Sequence, residues 1–81
     1  MAEGQQPENR LDQIMGRLEI TLRDQARTPM RKLREAIAYQ RSRGIFNEDR
    51  IVRELRNIEA RAFITAEDID LLAKQLREEA P

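Results

Sequence analysis

The chain has 81 residues, of which 37% are charged and 40% hydrophobic, and its 15 basic and 15 acidic side chains cancel to a net charge of zero. It contains no cysteine and no histidine, which excludes disulfides, thiolate metal sites, the usual general base and the commonest transition-metal ligand. A chain of this length forms one domain with a small core, since only about 60% of the surface exposed by the unfolded chain is buried at this size.

The sequence has no run close to the roughly 20 apolar residues that a membrane span requires. Its first residues, Met-Ala-Glu-Gly, lack the basic and then apolar pattern of a secretory signal. We therefore expect a cytoplasmic protein without a membrane contact. The abundance of Ala, Leu, Glu and Arg, with only 3 Gly and 3 Pro, is typical of helical proteins. The composition predicts an all-α fold, a compact bundle of three to four short amphipathic helices.

Charge is distributed unevenly along the chain. Residues 1-26 carry five acidic and three basic side chains, residues 27-61 carry five acidic and ten basic ones, and residues 62-81 carry five acidic and two basic ones. A basic middle therefore lies between two acidic ends. These segments have opposite sign and can attract one another within a chain or between chains.

The polar stretch 1-8 predicts a flexible tail that precedes a single helical domain over 9-79. Asn9 is a good N-cap, and apolar residues recur from Leu11 at steps of three and four, so the first helix is expected over 9-26. Thr28 and Pro29 predict the start of a second helix over 29-43, with Thr28 as its cap. The alternative is one long helix kinked at Pro29.

Glycine and two further caps divide the rest of the chain. Gly44 is expected to stop the second helix, and Asn47 to cap a third helix over 47-62. Thr65 predicts the start of a fourth helix over 66-79, and residues 80-81 are expected to fray. The predicted core consists of the apolar stripes of these helices and two phenylalanines: Leu11, Ile14, Leu18, Leu22, Leu33, Ile37, Phe46, Ile51, Leu55, Ile58, Phe63, Ile69, Leu72 and Leu76.

The sequence offers no arrangement of residues suited to catalysis. It has no phosphate-binding glycine loop and no Ser or Thr nucleophile beside a plausible base. The acidic group Glu67, Asp68 and Asp70 lies where a helix begins, a position that carboxylates favour without any metal. We expect a protein that is not an enzyme and has no catalytic residues, cofactor, metal site or small-molecule substrate. No motif is specific enough to indicate a family.

A protein-interaction module is the first functional hypothesis. Ile20 and Leu71 fall opposite the apolar stripes of their helices, and Tyr39 is expected to be the exposed aromatic residue. These three residues are candidates for binding a protein partner. A marginal core and segments of opposite charge also favour self-association, so a homo-oligomer or a protein partner is expected.

The alternative is a small DNA- or RNA-binding protein that uses the basic second and third helices. Its candidate contacts with nucleic acid are Arg31, Arg34, Arg41, Arg50, Arg53 and Arg56. The zero net charge, and the acidic Glu48 and Asp49 at the start of the third helix, argue against this alternative. The same arginines can instead pair with the acidic first and last helices.

Overall fold

The computed structural model describes residues 9–79; the predicted tail 1-8 and the predicted frayed end 80-81 lie outside the described residues. The helices are α1 (Arg10–Leu22), α2 (Arg27–Ser42), α3 (Glu48–Glu59) and α4 (Ala66–Glu79). A 3₁₀ turn, Arg23–Ala26, joins α1 to α2 directly, so the described chain has three uninterrupted helical stretches. The predicted all-α bundle is confirmed.

Side-chain caps and a glycine turn set several helix ends, as the sequence predicted. The Oδ1 atom of Asn9 accepts a hydrogen bond of 2.7 Å from the amide of Leu11, and Oδ1 of Asn47 accepts one of 3.1 Å from the amide of Arg50. Gly44 follows α2 with a φ of +73°, and the amide of Ile45 donates to the carbonyl of Gln40, which closes a Schellman motif.

The connection between α1 and α2 differs from the prediction. The break falls at Arg23, whose φ of +56° is in the region that favours glycine, rather than at Thr28 and Pro29. Thr28 is not a cap: α2 begins at Arg27, its N-cap is Ala26, and no side chain caps it. Pro29 lies in the first turn of α2, where its missing amide proton costs nothing. Residues 10–42 thus form one uninterrupted helical stretch in which a 3₁₀ turn beginning at Arg23 separates α1 from α2, and α2 continues through Pro29.

Ion pairs between helices reveal how the chain is arranged. Glu19 pairs with Arg34, and Arg50 near the start of α3 pairs with Glu79 at the end of α4, so α1 runs antiparallel to α2, and α3 to α4, as two hairpins. Across the hairpins, α1 and α3 run in the same direction, because Arg10 pairs with Asp49 near their starts and Arg17 with Glu59 near the end of α3. α2 and α4 also run in the same direction and make the most extensive contact between helices.

The core is close to the predicted one. Of the 14 predicted residues, 12 are buried; the buried set also contains Met15, Ala26, Met30, Ala36, Val52 and Ala73. The two phenylalanines were predicted wrongly. Phe46 is only half-buried against the core, and Phe63 is 87% exposed. Phe63 and Ile64 are neighbours in the short connection before α4, and Ile64 is the one that packs against the core.

Small residues and one polar residue occur in the contact between α2 and α4. Ala36 and Ala73 are both buried, and their short side chains allow the two backbones to come close. Gln40 is the buried polar residue of the described chain; its Nε2 donates to the carbonyl of Leu76 at 3.1 Å. That carbonyl belongs to the last turn of α4, so Gln40 ties the end of α4 to a neighbouring helix.

We expect the same substitution to have opposite effects at two glycines. A Cβ built at Gly16 or at Gly44 meets no atom within 4 Å, so only backbone conformation distinguishes them. Gly44→Ala forces a positive φ on an L residue and is expected to lower the free energy of unfolding by about 1–2 kcal/mol. Gly16→Ala removes a glycine from the middle of a helix and should raise it by about 0.5–1 kcal/mol. Urea unfolding of dilute protein measures both; equal shifts would contradict the expectation.

Replacing Gln40 with leucine is expected to destabilise the fold. Leucine fills much of the same space but cannot donate to the carbonyl of Leu76, and loss of this buried hydrogen bond costs about 0.5–1.5 kcal/mol. The midpoint of urea unfolding measures the loss. The matched control is Gln75→Leu, at an exposed position on α4, which should change the free energy of unfolding by less than about 0.5 kcal/mol. An unchanged midpoint for Gln40→Leu would show that the hydrogen bond from Gln40 does not stabilise the fold.

Candidate protein-interaction surface

An open groove of about 530 Å³ runs along the outside of the α2 and α4 pair. Its lining residues are Lys32 and Glu35 from α2, and Asp70, Ala73, Lys74, Arg77 and Glu78 from α4. Leu71 lies one helical turn before Lys74 and is 57% exposed, so it borders the groove on the solvent side of α4. The predicted partner residue Leu71 is therefore exposed, as the sequence indicated.

The charges in this groove are largely balanced by each other. Lys32 Nζ lies 3.5 Å from Asp70 Oδ1, and Arg77 Nη2 lies 3.6 Å from Glu35 Oε1. Arg31 also lies 3.8 Å from Glu35. Such pairs at an exposed surface contribute little to stability, but they leave the groove without an excess of positive charge for an anionic ligand.

Tyr39 lies on α2 and is less exposed than the sequence predicted. It is half-buried, with the guanidinium of Arg43 5.4 Å from its ring centroid and that of Arg77 at 5.9 Å. Arg43 Nη2 also donates to the hydroxyl of Tyr39 at 3.4 Å. The strongly exposed aromatic residue is instead Phe63, which was predicted to lie in the core. Phe63 and Ile64 are adjacent apolar residues in a short connection, where both side chains cannot face the core. This pattern in the sequence could have indicated that one of the two is exposed.

Ile20 lies on a different surface, the outer face of α1. A shallow depression there is lined by Asp12, Gln13, Gly16, Arg17 and Ile20. Ile20 is 77% exposed, and none of these residues takes part in the α2 and α4 groove. The three predicted partner residues are thus divided between two surfaces, because Tyr39 and Leu71 belong to the α2 and α4 side of the molecule.

The arginines of the nucleic-acid hypothesis have diverse surroundings. Arg34 makes a two-pronged ion pair with Glu19, and Arg50 makes one with Glu79. The guanidinium of Arg41 lies 4.5 Å from the centroid of the Phe46 ring. On α3, Arg53 and Arg56 are exposed, and no carboxylate oxygen of residues 9–79 lies within 4.0 Å of their guanidinium nitrogens. The chain's own acidic groups therefore engage part of the predicted set.

Two carboxylates have altered pKa values because of these ion pairs. The pKa of Glu59 is lowered by its hydrogen bonds from Arg17, at 2.7 Å from Nε and 2.9 Å from Nη2. The pKa of Glu79 is lowered mainly by hydrogen bonding from Arg50, with a smaller contribution from Gln40. Glu79 thus joins α2, α3 and α4 at one end of the molecule.

The acidic residues at the start of α4 have structural partners. Asp68 accepts a hydrogen bond of 2.9 Å from the amide of Thr65, which forms half of a capping box, and it also pairs with Arg61. Among residues 9–79, no group of three or more acidic side chains is arranged to hold a metal ion. None of the helices in the same range is long and apolar enough to cross a membrane.

Comparison with known proteins gives no relative. Neither a protein-family model, nor a curated protein, nor a solved structure matches this chain. Functional inference for this protein therefore rests on its own residues and their geometry.

Acidification is expected to destabilise the protein through Glu59 and Glu79. Their folded pKa values lie below the ordinary value of 4.5, so the stabilisation from their ion pairs is complete above that pH and is lost as the pH falls through the lowered pKa values. The exposed Arg50–Glu79 pair should contribute about 0.5–1 kcal/mol. Urea midpoints recorded at decreasing pH measure this loss.

The double variant Glu59→Gln and Glu79→Gln should be less stable at neutral pH and should lose less stability on acidification than the wild type. Glu67→Gln, an exposed residue in the first turn of α4, is the matched control and should follow the wild-type profile. Parallel acid profiles for the wild type and the double variant would contradict the assignment.

Proposed function

We propose that this protein is a small non-catalytic protein-interaction module that associates with itself. The observation that carries the proposal is the exposure of two large apolar side chains, Ile20 and Phe63, on a molecule this small. Large exposed apolar residues that lie together are typical of surfaces that bind protein, although isolated ones are common on any surface. Ile20 and Phe63 can form such a surface together only if they lie near each other.

The register of α1 and α3 supports a common location. Arg17 on α1 pairs with Glu59 at the end of α3, and the two helices run in the same direction. Ile20 follows Arg17 by three residues, and Phe63 follows Glu59 by four, so both lie at the same end of this helix pair. Burial of one such side chain in an interface provides about 1.5–3 kcal/mol.

The ion pairs give a second line of support. Arg17, Arg34 and Arg50 each bind a carboxylate of another helix through two nitrogens. A guanidinium held in this way has fewer free donors and a partly neutralised charge, so it attracts a phosphate group less strongly. Protein binding through apolar side chains does not depend on those donors.

Nucleic-acid binding remains the second candidate, and one observation favours it. Arg53 and Arg56 lie one turn apart on the exposed side of α3, with no ion pair among the described residues, so they are available to phosphates. If nucleic acid binds, the contact is expected to centre on these two arginines. The cytoplasmic location and the absence of catalysis stay predictions from the sequence.

Sedimentation equilibrium of the full chain over a wide range of concentration tests the proposal. We expect a reversible monomer–oligomer equilibrium that a labelled duplex or single strand does not join. Ile20→Ser and Phe63→Ser should each weaken association by about tenfold, the equivalent of 1.4 kcal/mol of lost apolar burial. Ala62→Ser changes the exposed neighbour of Phe63 and should have no effect.

A single monomeric mass at every concentration would overturn self-association. Sedimentation of the labelled strand with the protein, reduced steeply by salt and by replacement of Arg53 and Arg56 with glutamine, would instead support nucleic-acid binding.

A further inference from the structure

Two residues of α1 and the residue that follows it depart from the rules that local structure follows. Gly16 occupies the middle of the helix, although a Cβ there would meet nothing within 4 Å. Ile20 lies on the same face and is exposed. Arg23 ends the helix with a positive φ, where glycine is usual. No contact within the described molecule explains why these residue types occur at these positions. Exceptions of this kind are most frequent at sites that bind another molecule.

The surroundings of Gly16 suggest what lies against it. Gly16 is near the centre of the outward face of α1, which is opposite the buried stripe of Leu11, Ile14 and Leu18. A glycine at this position allows the backbone of a second helix to approach closely, since no side chain intervenes. Ile20, one turn further along, supplies apolar surface to the same contact.

The charges beside Gly16 complement each other across a twofold axis. Arg17 uses Nε and Nη2 to bind Glu59, which leaves Nη1 without a hydrogen-bond partner among residues 9–79. Asp12 lies at the other end of the depression, in the first turn of α1, and has no ion pair among those residues. An acid at one end and a base with a spare donor at the other make the face complementary to itself, as a twofold contact requires.

We infer that the outer face of α1, formed by Asp12, Gln13, Gly16, Arg17 and Ile20, binds the same face of a second copy of this chain in an antiparallel arrangement. A twofold axis that crosses α1 between Gln13 and Gly16 brings Asp12 of each copy opposite Arg17 of the other. The side chain of Gln13 then enters the space above Gly16 of the second copy. Ile20 lies against the first turn of the opposite α1.

This inference rests on the proposed self-association and specifies its surface. One helix face is small beside the roughly 1,600 Å² that standard protein interfaces bury, so the dimer is expected to be weak and to form at high protein concentration. Phe63, at the Ile20 end of the α1 and α3 pair, lies at the edge of this contact. The groove between α2 and α4, with Leu71 at its border, is left to solvent.

Cysteine cross-linking distinguishes this surface from any other, because the natural chain contains no cysteine. Gln13→Cys lies close to the proposed axis and should give a disulfide-linked dimer under mild oxidation, at concentrations where the wild type sediments as a dimer. Asn57→Cys, exposed on α3, and Leu71→Cys, beside the α2 and α4 groove, are the matched controls and should give little linked dimer.

Gly16→Ala provides a second test, because a glycine that matters only for the fold of the monomer would not affect association. The added methyl group should raise the thermal midpoint of dilute monomer, and it should weaken association by about tenfold because it separates the two helices. Asp12→Arg should weaken association, and this effect should disappear at high salt. Glu67→Arg makes the same charge change in the first turn of α4 and should leave association unchanged.

The results of these experiments distinguish failure of self-association from failure of the proposed surface. If the wild type is monomeric at every concentration, both the self-association and this surface are wrong. If the wild type forms a dimer but Leu71→Cys cross-links and Gln13→Cys does not, this surface is wrong and the proposed function stands. Unchanged association of Gly16→Ala would likewise overturn the glycine contact.

Discussion

The rest of the structure depends on the close contact between α2 and α4. It unites the second helix of each hairpin, and it is possible because Ala36 and Ala73 are small. Gln40 completes the contact by donating to the carbonyl of Leu76 in the last turn of α4. A hydrogen bond to the end of a neighbouring helix fixes the position of one helix along the other. Apolar packing alone defines that position less well. Glu79, at the end of α4, in turn pairs with Arg50 on α3.

The charge pattern of the sequence is used mainly inside the fold. The basic middle and the acidic ends meet in ion pairs such as Arg34 with Glu19 and Arg50 with Glu79. Because most of these pairs are exposed, they add little stability, and their larger effect is on the direction and register of the helices. They also occupy several of the arginines that a phosphate ligand would need. The surface that carries the exposed apolar residues Ile20 and Phe63 therefore becomes the more informative one for function.

The candidate surface was only partly predictable from the sequence. Ile20 and Leu71 were identified because each falls opposite its helix's apolar stripe, a property of helical spacing that does not depend on neighbouring elements. Phe63 was missed because its burial depends on how the connection to α4 folds, and Ile64 takes the inward position there. The importance of Gly16 was also hidden, because only the structure shows that a Cβ built there would meet nothing within 4 Å.

Local chemistry let the sequence by itself determine the all-α class, the caps at Asn9 and Asn47, the stop at Gly44 and most of the core. These features depend on residues a few positions apart along the chain. Only the tertiary structure decided the break at Arg23 and the burial of Gln40 and Val52. It also decided which arginines meet a carboxylate. Such outcomes depend on groups tens of residues apart, such as Gln40 and Leu76, whose meeting is governed by helix packing that no local pattern records.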